Sequence, residues 1–228
     1  MTSDDALKEK VLHLLDDMHP VLDAMKKPES RTAMIRQLTE IARSIAALVE
    51  SREPHKSGHH LRVADLAETI GTDINLSRDQ IEGLFMAGMI HDIGKMQIPL
   101  DILNSPVKLT DAEYRVMTTH VEEGYELLKN LDFPWPVARM VLEHHEKWNG
   151  SGYPKGRLGE DVLLESRILA IADLVDAFAT SRSYRPALEI DAGLFFLSGN
   201  KGVLYDADVV NVCLRLFNEK GYKMPDVD

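Results

Sequence analysis

Apolar side chains recur every three to four residues along most of this chain, and that spacing constrains its fold more than any other feature. In the first fifty residues the stripe runs through Leu7, Val11, Leu14 and Met18, then through Met34, Leu38, Ile41, Ile45 and Leu48. A helix turns every 3.6 residues, so such a stripe lies on one face. Pro20 and Pro28 are expected to interrupt it, with Ser30 as N-cap of a second helix, so residues 1–52 read as an N-terminal helical hairpin. That hairpin is either a lid on the core that follows or a segment for dimerisation or signal input, since the stripe is wide enough for both.

The same spacing continues through 61–70, 80–90, 111–128, 136–146, 164–180 and 206–217, while strand patterns are nearly absent. Ser77 and Thr110 stand where N-caps belong, and Glu113 completes a capping box with Thr110. The prediction is an all-α fold: a helical bundle over residues 53–220, preceded by the hairpin. Segments 97–109 and 147–163 are the longest irregular stretches, and loops on a helical scaffold are where binding residues gather.

With 228 residues and 44% hydrophobic content, the chain is long enough for one well-buried domain and a short appendage. Its single cysteine, Cys213, excludes an internal disulfide and fits a reducing compartment; the apolar setting from Val209 to Leu214 reads as a core thiol. No apolar run approaches the roughly 20 residues needed to span a membrane, and the start lacks the regions of a signal peptide, so a cytoplasmic protein without membrane contact is expected. A formal charge of −11 argues against a nucleic-acid polymer as partner. A small phosphorylated ligand stays open, because bound metals and a few arginines reverse the sign locally.

Seven of the nine histidines fall between residues 55 and 145. On a helix His91 and Asp92 point about 100° apart and address different sides of a metal cluster, with Lys95 one turn away. A carboxylate can link two cations, whereas each neutral imidazole offers one nitrogen. His59, His120, the pair His144-His145 and Asp173 add donors of the kind a hydrolytic metal centre uses. An isolated His-Asp pair is more often a surface contact, and a lone histidine on an amphipathic helix a core or boundary residue, which is the reading for His13 and His19. Arg182 and Arg185 offer planar forks for a phosphate, or are solvated charges at a helix end. The glycines between Trp148 and Pro154 allow close approach to a ligand, or simply stop a helix.

Taken in order, His59-His60-Leu61-Arg62-Val63, His91-Asp92-Ile93-Gly94-Lys95, Ile98 to Leu103, His120 with Gly124, His144-His145 through Gly152-Tyr153-Pro154, and Asp173 through Arg185 resemble the HD-GYP domain. This is a branch of the HD superfamily of metal-dependent phosphohydrolases, and the resemblance covers roughly residues 55–215. It implies an HD-domain helical bundle in which His59, His91, Asp92 and Asp173 hold one metal, and Asp92, His120 and His144 a second, with Asp92 bridging. It further implies iron or manganese, with His145 facing the substrate or a third metal. Asp92 and Lys95 become the catalytic pair, with Lys95 contacting the phosphate or assisting the leaving oxygen. Gly152, Tyr153, Pro154, Asp176, Arg182 and Arg185 are placed near the substrate.

The implied activity is a cyclic di-GMP phosphodiesterase that yields linear pGpG or GMP. The implied partner is a diguanylate-cyclase (GGDEF) domain at the 148–154 loop, while the apolar stripe of the N-terminal helices offers a second copy of the chain as another. Two other readings remain: a module that binds cyclic di-GMP or a protein without turnover, and an HD phosphohydrolase for another nucleotide. Two departures from the family pattern stand out. His55 replaces the glutamate of three-metal members, which predicts two metals, and Ser105 and Val107 alter a loop that is usually Lys-Pro-Gly-Lys-Leu, which predicts weaker substrate affinity.

Overall fold

The computed structural model describes residues 3–27, 31–53, 57–179 and 190–226. Its elements are α1 (Ser3–Met25), α2 (Arg31–Glu50), α3 (His59–Asp73), α4 (Arg78–Ile90), α5 (Leu100–Leu103), α6 (Asp111–Thr118), α7 (His120–Leu128), α8 (Val137–Glu143), α9 (Leu164–Ala179), α10 (Ile190–Gly199) and α11 (Ala207–Asn218). A 3-10 turn spans Ile93–Gln97. Among the described residues there are no strands, only the isolated bridges Asn149–Leu158 and Lys201–Tyr205. The all-α expectation is borne out.

The α1–α2 hairpin packs on itself and lays α2 across α4 and the 3-10 turn, while α3 is sandwiched between α4 and α9. One apolar cluster runs from Val11 and Met18 in α1 through Ile70, Leu84 and Ile171 to Cys213 and Leu216 in α11. Hairpin and bundle therefore share a core. Burial pushes the Cys213 thiol up to about 12, as expected of an inert core residue.

Local chemistry sets the helix ends. Ser77 and Gln80 cap α4, and Thr110 and Glu113 cap α6, each as a reciprocal capping box. The turn after α3 passes through Asn75 at φ 60°, a left-handed conformation that asparagine tolerates.

Several expectations need correction. α1 continues through Pro20 to Met25, because Met18, Val21, Leu22 and Met25 are all buried and their packing outweighs one missing backbone donor. His13 and His19 are exposed on α1, not at a boundary. The helix expected over 111–128 breaks at Thr119. There the Thr118 and Thr119 hydroxyls donate to the carbonyls of Arg115 and Val116, and His120 Nδ1 pairs with the Met117 carbonyl, so three consecutive side chains compete with the helical ladder. α10 was not expected, since its apolar residues surround the axis and leave Phe195 84% exposed, without a periodic stripe. The expected N-cap Ser30, the departure at His55 and the expected phosphate contacts Arg182 and Arg185 lie outside the described residues.

Candidate metal centre

Every expected donor among the described residues sits at or near a helix end, except Asp173 within α9. His59 opens α3, His91 directly follows α4, His120 opens α7, and His144-His145 directly follow α8. The premise of one continuous helix through His91, Asp92 and Lys95 is corrected. α4 stops at His91, and Asp92 begins the 3-10 turn, closed by the Lys95 amide donating to the Asp92 carbonyl at 2.9 Å. The tighter pitch brings residues three apart into register, so Lys95 Nζ donates to Asp92 Oδ2 at 2.6 Å.

The two oxygens of Asp92 face different imidazoles. Oδ2 lies 3.6 Å from His59 Nε2 and 3.5 Å from His91 Nε2, whereas Oδ1 lies 3.6 Å from His120 Nε2. His59 Nε2 is 3.3 Å from His91 Nε2 and 3.5 Å from Asp173 Oδ1. Donors each about 2.1 Å from one ion stand about 3.0 to 3.4 Å apart, so this spacing suits a cation. Three groups of donors lie within 4.8 Å of one another: His59, His91 and Asp173; His91, Asp92 and His144; His120, His144 and His145.

A second observation supports the fit. Nδ1 of His91, His120 and His144 pairs with the carbonyl three residues earlier, Gly88, Met117 and Val141, at 2.8, 2.8 and 2.7 Å. Each pairing orients a ring and turns its Nε2 toward the cluster of donors, where it could ligate. His120 Nε2 and His144 Nε2 are buried with no hydrogen-bond partner, an arrangement that is costly without a bound cation.

Asp176, expected near the substrate and close to the metal ligands, lies behind the candidate ligands. It is fully buried, its Oδ2 lies 2.6 Å from His59 Nδ1, and its Oδ1 accepts from Arg62 Nε at 2.6 Å. Burial alone would push its carboxyl up, but His59 and Arg62 outweigh that and hold it below the usual range. A carboxylate placed so behind a histidine would orient that ring were it to ligate a metal. Its signal in sequence is the spacing: Asp176 and Arg62 lie three residues after Asp173 and His59, on the same helical faces.

The loop after His145 folds back against it. A Cβ on Gly152 would stand 2.4 Å from the His145 carbonyl oxygen and 2.4 Å from the Lys147 nitrogen, so only glycine fits. Tyr153 lies over His145, with ring centroids 4.9 Å apart, and Pro154 follows it, half-buried. The buried Glu146 carboxylate, unremarked in the sequence, accepts from the Lys155 and Arg157 amides and pins the loop.

Burial is the largest cause that pushes His60, His91, His144 and His145 below their ordinary value, and it pushes His120 down to about 4. These imidazoles are therefore neutral, the ligating form. Their folded pKa values lie below the unfolded value near 6.5, so as pH falls the unfolded chain takes up protons first. Stability of the metal-stripped protein is therefore expected to decline from about pH 6.5 downward, and His120's share of the loss is complete below about 4. His120 alone contributes about 3 kcal/mol. A urea midpoint that stays constant between those pH values would refute this.

No helix among the described residues is long and apolar enough to cross a membrane. The family model described as "HD domain" matches residues 43–209. The cyclic di-GMP phosphodiesterase response regulator RpfG of Xanthomonas campestris is 35% identical over 213 residues, covering 92% of this chain and 54% of that protein. A 3'3'-cGAMP-specific phosphodiesterase 3 of Vibrio cholerae is 34% identical over 178 residues, covering 78% and 39%. The chain thus spans about half the length, or less, of these relatives. A solved HDG"Y"P protein of Bdellovibrio bacteriovorus shares the fold at TM-score 0.63 and 16% identity, covering 94% of this chain and 71% of that one. The chain belongs to the HD-domain family, and the HD-GYP pattern of its sequence is borne out by these matches.

Proposed function

We propose that this chain is a metal-dependent phosphodiesterase that hydrolyses cyclic di-GMP at a centre of two iron or manganese ions. The observation that carries the reading is Asp92, whose two oxygens face His59 and His91 on one side and His120 on the other. When bound, such ions supply Lewis-acid charge and lower the pKa of water to roughly 7, so no strong protein base is needed. His59, His91, Asp92 and Asp173 would hold one ion, and Asp92, His120 and His144 the other. Lys95 Nζ, 2.6 Å from Asp92 Oδ2, stands where it could contact a phosphate oxygen or assist the leaving oxygen. His145, under Tyr153, would face the substrate. The names of the relatives, which act on cyclic di-GMP or 3'3'-cGAMP, support a cyclic dinucleotide.

The test is incubation of iron- or manganese-loaded protein with cyclic di-GMP, 3'3'-cGAMP and a linear dinucleotide, with products separated by chromatography. Metal binding without turnover of any cyclic dinucleotide overturns the reading; turnover of 3'3'-cGAMP alone revises the substrate. Tyr114 supplies a finer prediction. It is 54% exposed and meets Tyr153 edge-on, with centroids 6.5 Å apart, so it extends an aromatic row outward from His145. Base-on-aromatic stacking is worth about 1–3 kcal/mol. Tyr114→Ala is expected to raise KM about tenfold with kcat within twofold, and an unchanged KM would remove Tyr114 from the substrate site.

A further inference from the structure

The exit of α2 touches both halves of the metal centre through three residues in a span of four. Glu50 serves the segment that carries His59. The N-cap position of α3 is Gly58, which has no side chain to cap with, and Glu50 fills the role from another helix. Its Oε2 accepts from the Gly58 amide at 2.9 Å, and its Oε1 accepts from the His60 amide at 3.0 Å and lies 2.9 Å from His60 Nδ1. Arg52 serves the segment that carries Asp92. It is 4% exposed, and it donates through Nη1 to the Lys95 carbonyl and through Nη2 to the Ile98 carbonyl at 2.8 Å, holding the C-terminal end of the 3-10 turn. Glu53 lies 3.2 Å from Lys95 Nζ.

A buried guanidinium is tolerated only where its donors are met, and Asp4 accepts two further hydrogen bonds and supplies the counter-charge. Arg52 Nε donates to Asp4 Oδ1 at 2.7 Å and Nη2 to Asp4 Oδ2 at 3.2 Å. Asp4 lies in the first turn of α1 and touches no candidate ligand in any described contact. The chain of contacts therefore runs from α1 through Arg52 to the turn that sets Lys95 over Asp92. In parallel, Glu50 sets the start of the helix bearing His59.

We infer that residues 50–53 form a clamp that fixes His59 relative to Asp92 and Lys95. Glu50 and Arg52 are then positioning residues of the metal centre, and Asp4 is the residue through which α1 sets Arg52. The hairpin is thereby more than a lid. A displacement of α1 against α2 is delivered to the spacing of the metal ligands, which gives a signal received at the hairpin a physical route to the site. Partners that orient metal ligands from behind are typically worth 10–100-fold in metal affinity or activity, so the clamp is expected to act on that scale.

The test uses the full chain, stripped of metal and titrated with Mn²⁺ by calorimetry, with thermal melting recorded in parallel. Glu50→Gln and Arg52→Lys are expected to weaken Mn²⁺ binding about tenfold while melting within a few degrees of the parent. Asp4→Asn is expected to weaken it about threefold, and to add nothing further in the Arg52→Lys background, because both changes act through one contact. Parental Mn²⁺ affinity in folded Glu50→Gln and Asp4→Asn overturns the clamp, as does simple additivity of Asp4→Asn with Arg52→Lys. A parent that binds neither Mn²⁺ nor Fe²⁺ overturns it as well. Only a turnover assay would rest on the phosphodiesterase reading. An inactive parent with normal Mn²⁺ binding therefore sinks that reading, whereas unchanged Mn²⁺ affinity in the variants sinks the clamp.

Discussion

Replacing Asp92 with asparagine is expected to reduce hydrolysis of cyclic di-GMP about 10³-fold and to lower the content of tightly held metal from two ions per chain to one at most. The substitution conserves size, so the packing around this buried side chain is retained. It removes the charge and replaces one oxygen by an NH₂ group that cannot ligate. In the structure each oxygen has its own clients, His59 and His91 for Oδ2 and His120 for Oδ1. Losing Oδ1 would leave the ion at His120 and His144 with nitrogen donors alone, and losing Oδ2 would leave the ion at His59 and His91 with Asp173 as its one carboxylate. The expected loss is on the scale seen when a group acting directly on transition-state charge is removed. Lys95 keeps Glu53 nearby at 3.2 Å, so the ammonium is not left without a counter-charge. Elemental analysis with a rate measurement decides the matter: two tightly held ions and a rate within tenfold of the parent would rule out Asp92 as the bridge.

Gly94→Ala is expected to disrupt the centre through the backbone. A Cβ at residue 94 would stand 1.9 Å from the His120 carbonyl oxygen, 2.4 Å from the Gly124 nitrogen and 2.8 Å from the His120 carbonyl carbon. These are main-chain atoms of α7, and no side-chain rotation relieves the clash. The 3-10 turn and the start of α7 must separate, which withdraws His120 from Asp92 Oδ1. Overpacking of this kind costs about 3 kcal/mol or more, which corresponds to a fall in Tm of about 10 °C for a chain of this size. Metal binding should fall with it. A variant that melts within 2–3 °C of the parent, on the scale of about 1 kcal/mol, and binds Mn²⁺ normally would show that the turn can move without cost. Gly124 faces Gly94 from the other side, where a Cβ would stand 3.4 Å from the Gly94 nitrogen, and it is closed more tightly by Val141 Cγ1 of α8 at 2.9 Å.

These two residues mark where sequence and structure part company. Asp92 stood out in the sequence because the chemistry of carboxylate bridging is local to one residue type, and its neighbours formed a recognisable series. Gly94 and Gly124 lay inside the same motifs, but nothing in the spacing shows that they face each other across a backbone contact. The family resemblance puts Asp176 near the substrate and the metal ligands without saying what it touches. Only its burial and its two occupied oxygens assign it to His59 and Arg62.

The helical class, the capping boxes at Ser77 and Thr110 and the buried Cys213 were legible from the chain alone, and the candidate metal donors from their residue types and their order along it. Each depends on period, residue chemistry or contacts a few residues apart. The break at Thr119, the passage of α1 through Pro20, the 3-10 turn under Lys95 and the reach of Glu50 and Arg52 were decided by the tertiary structure. In each of those, groups brought together by packing compete with or override the local preference, and a one-dimensional pattern carries no record of which distant carbonyl or carboxylate will be there to receive them.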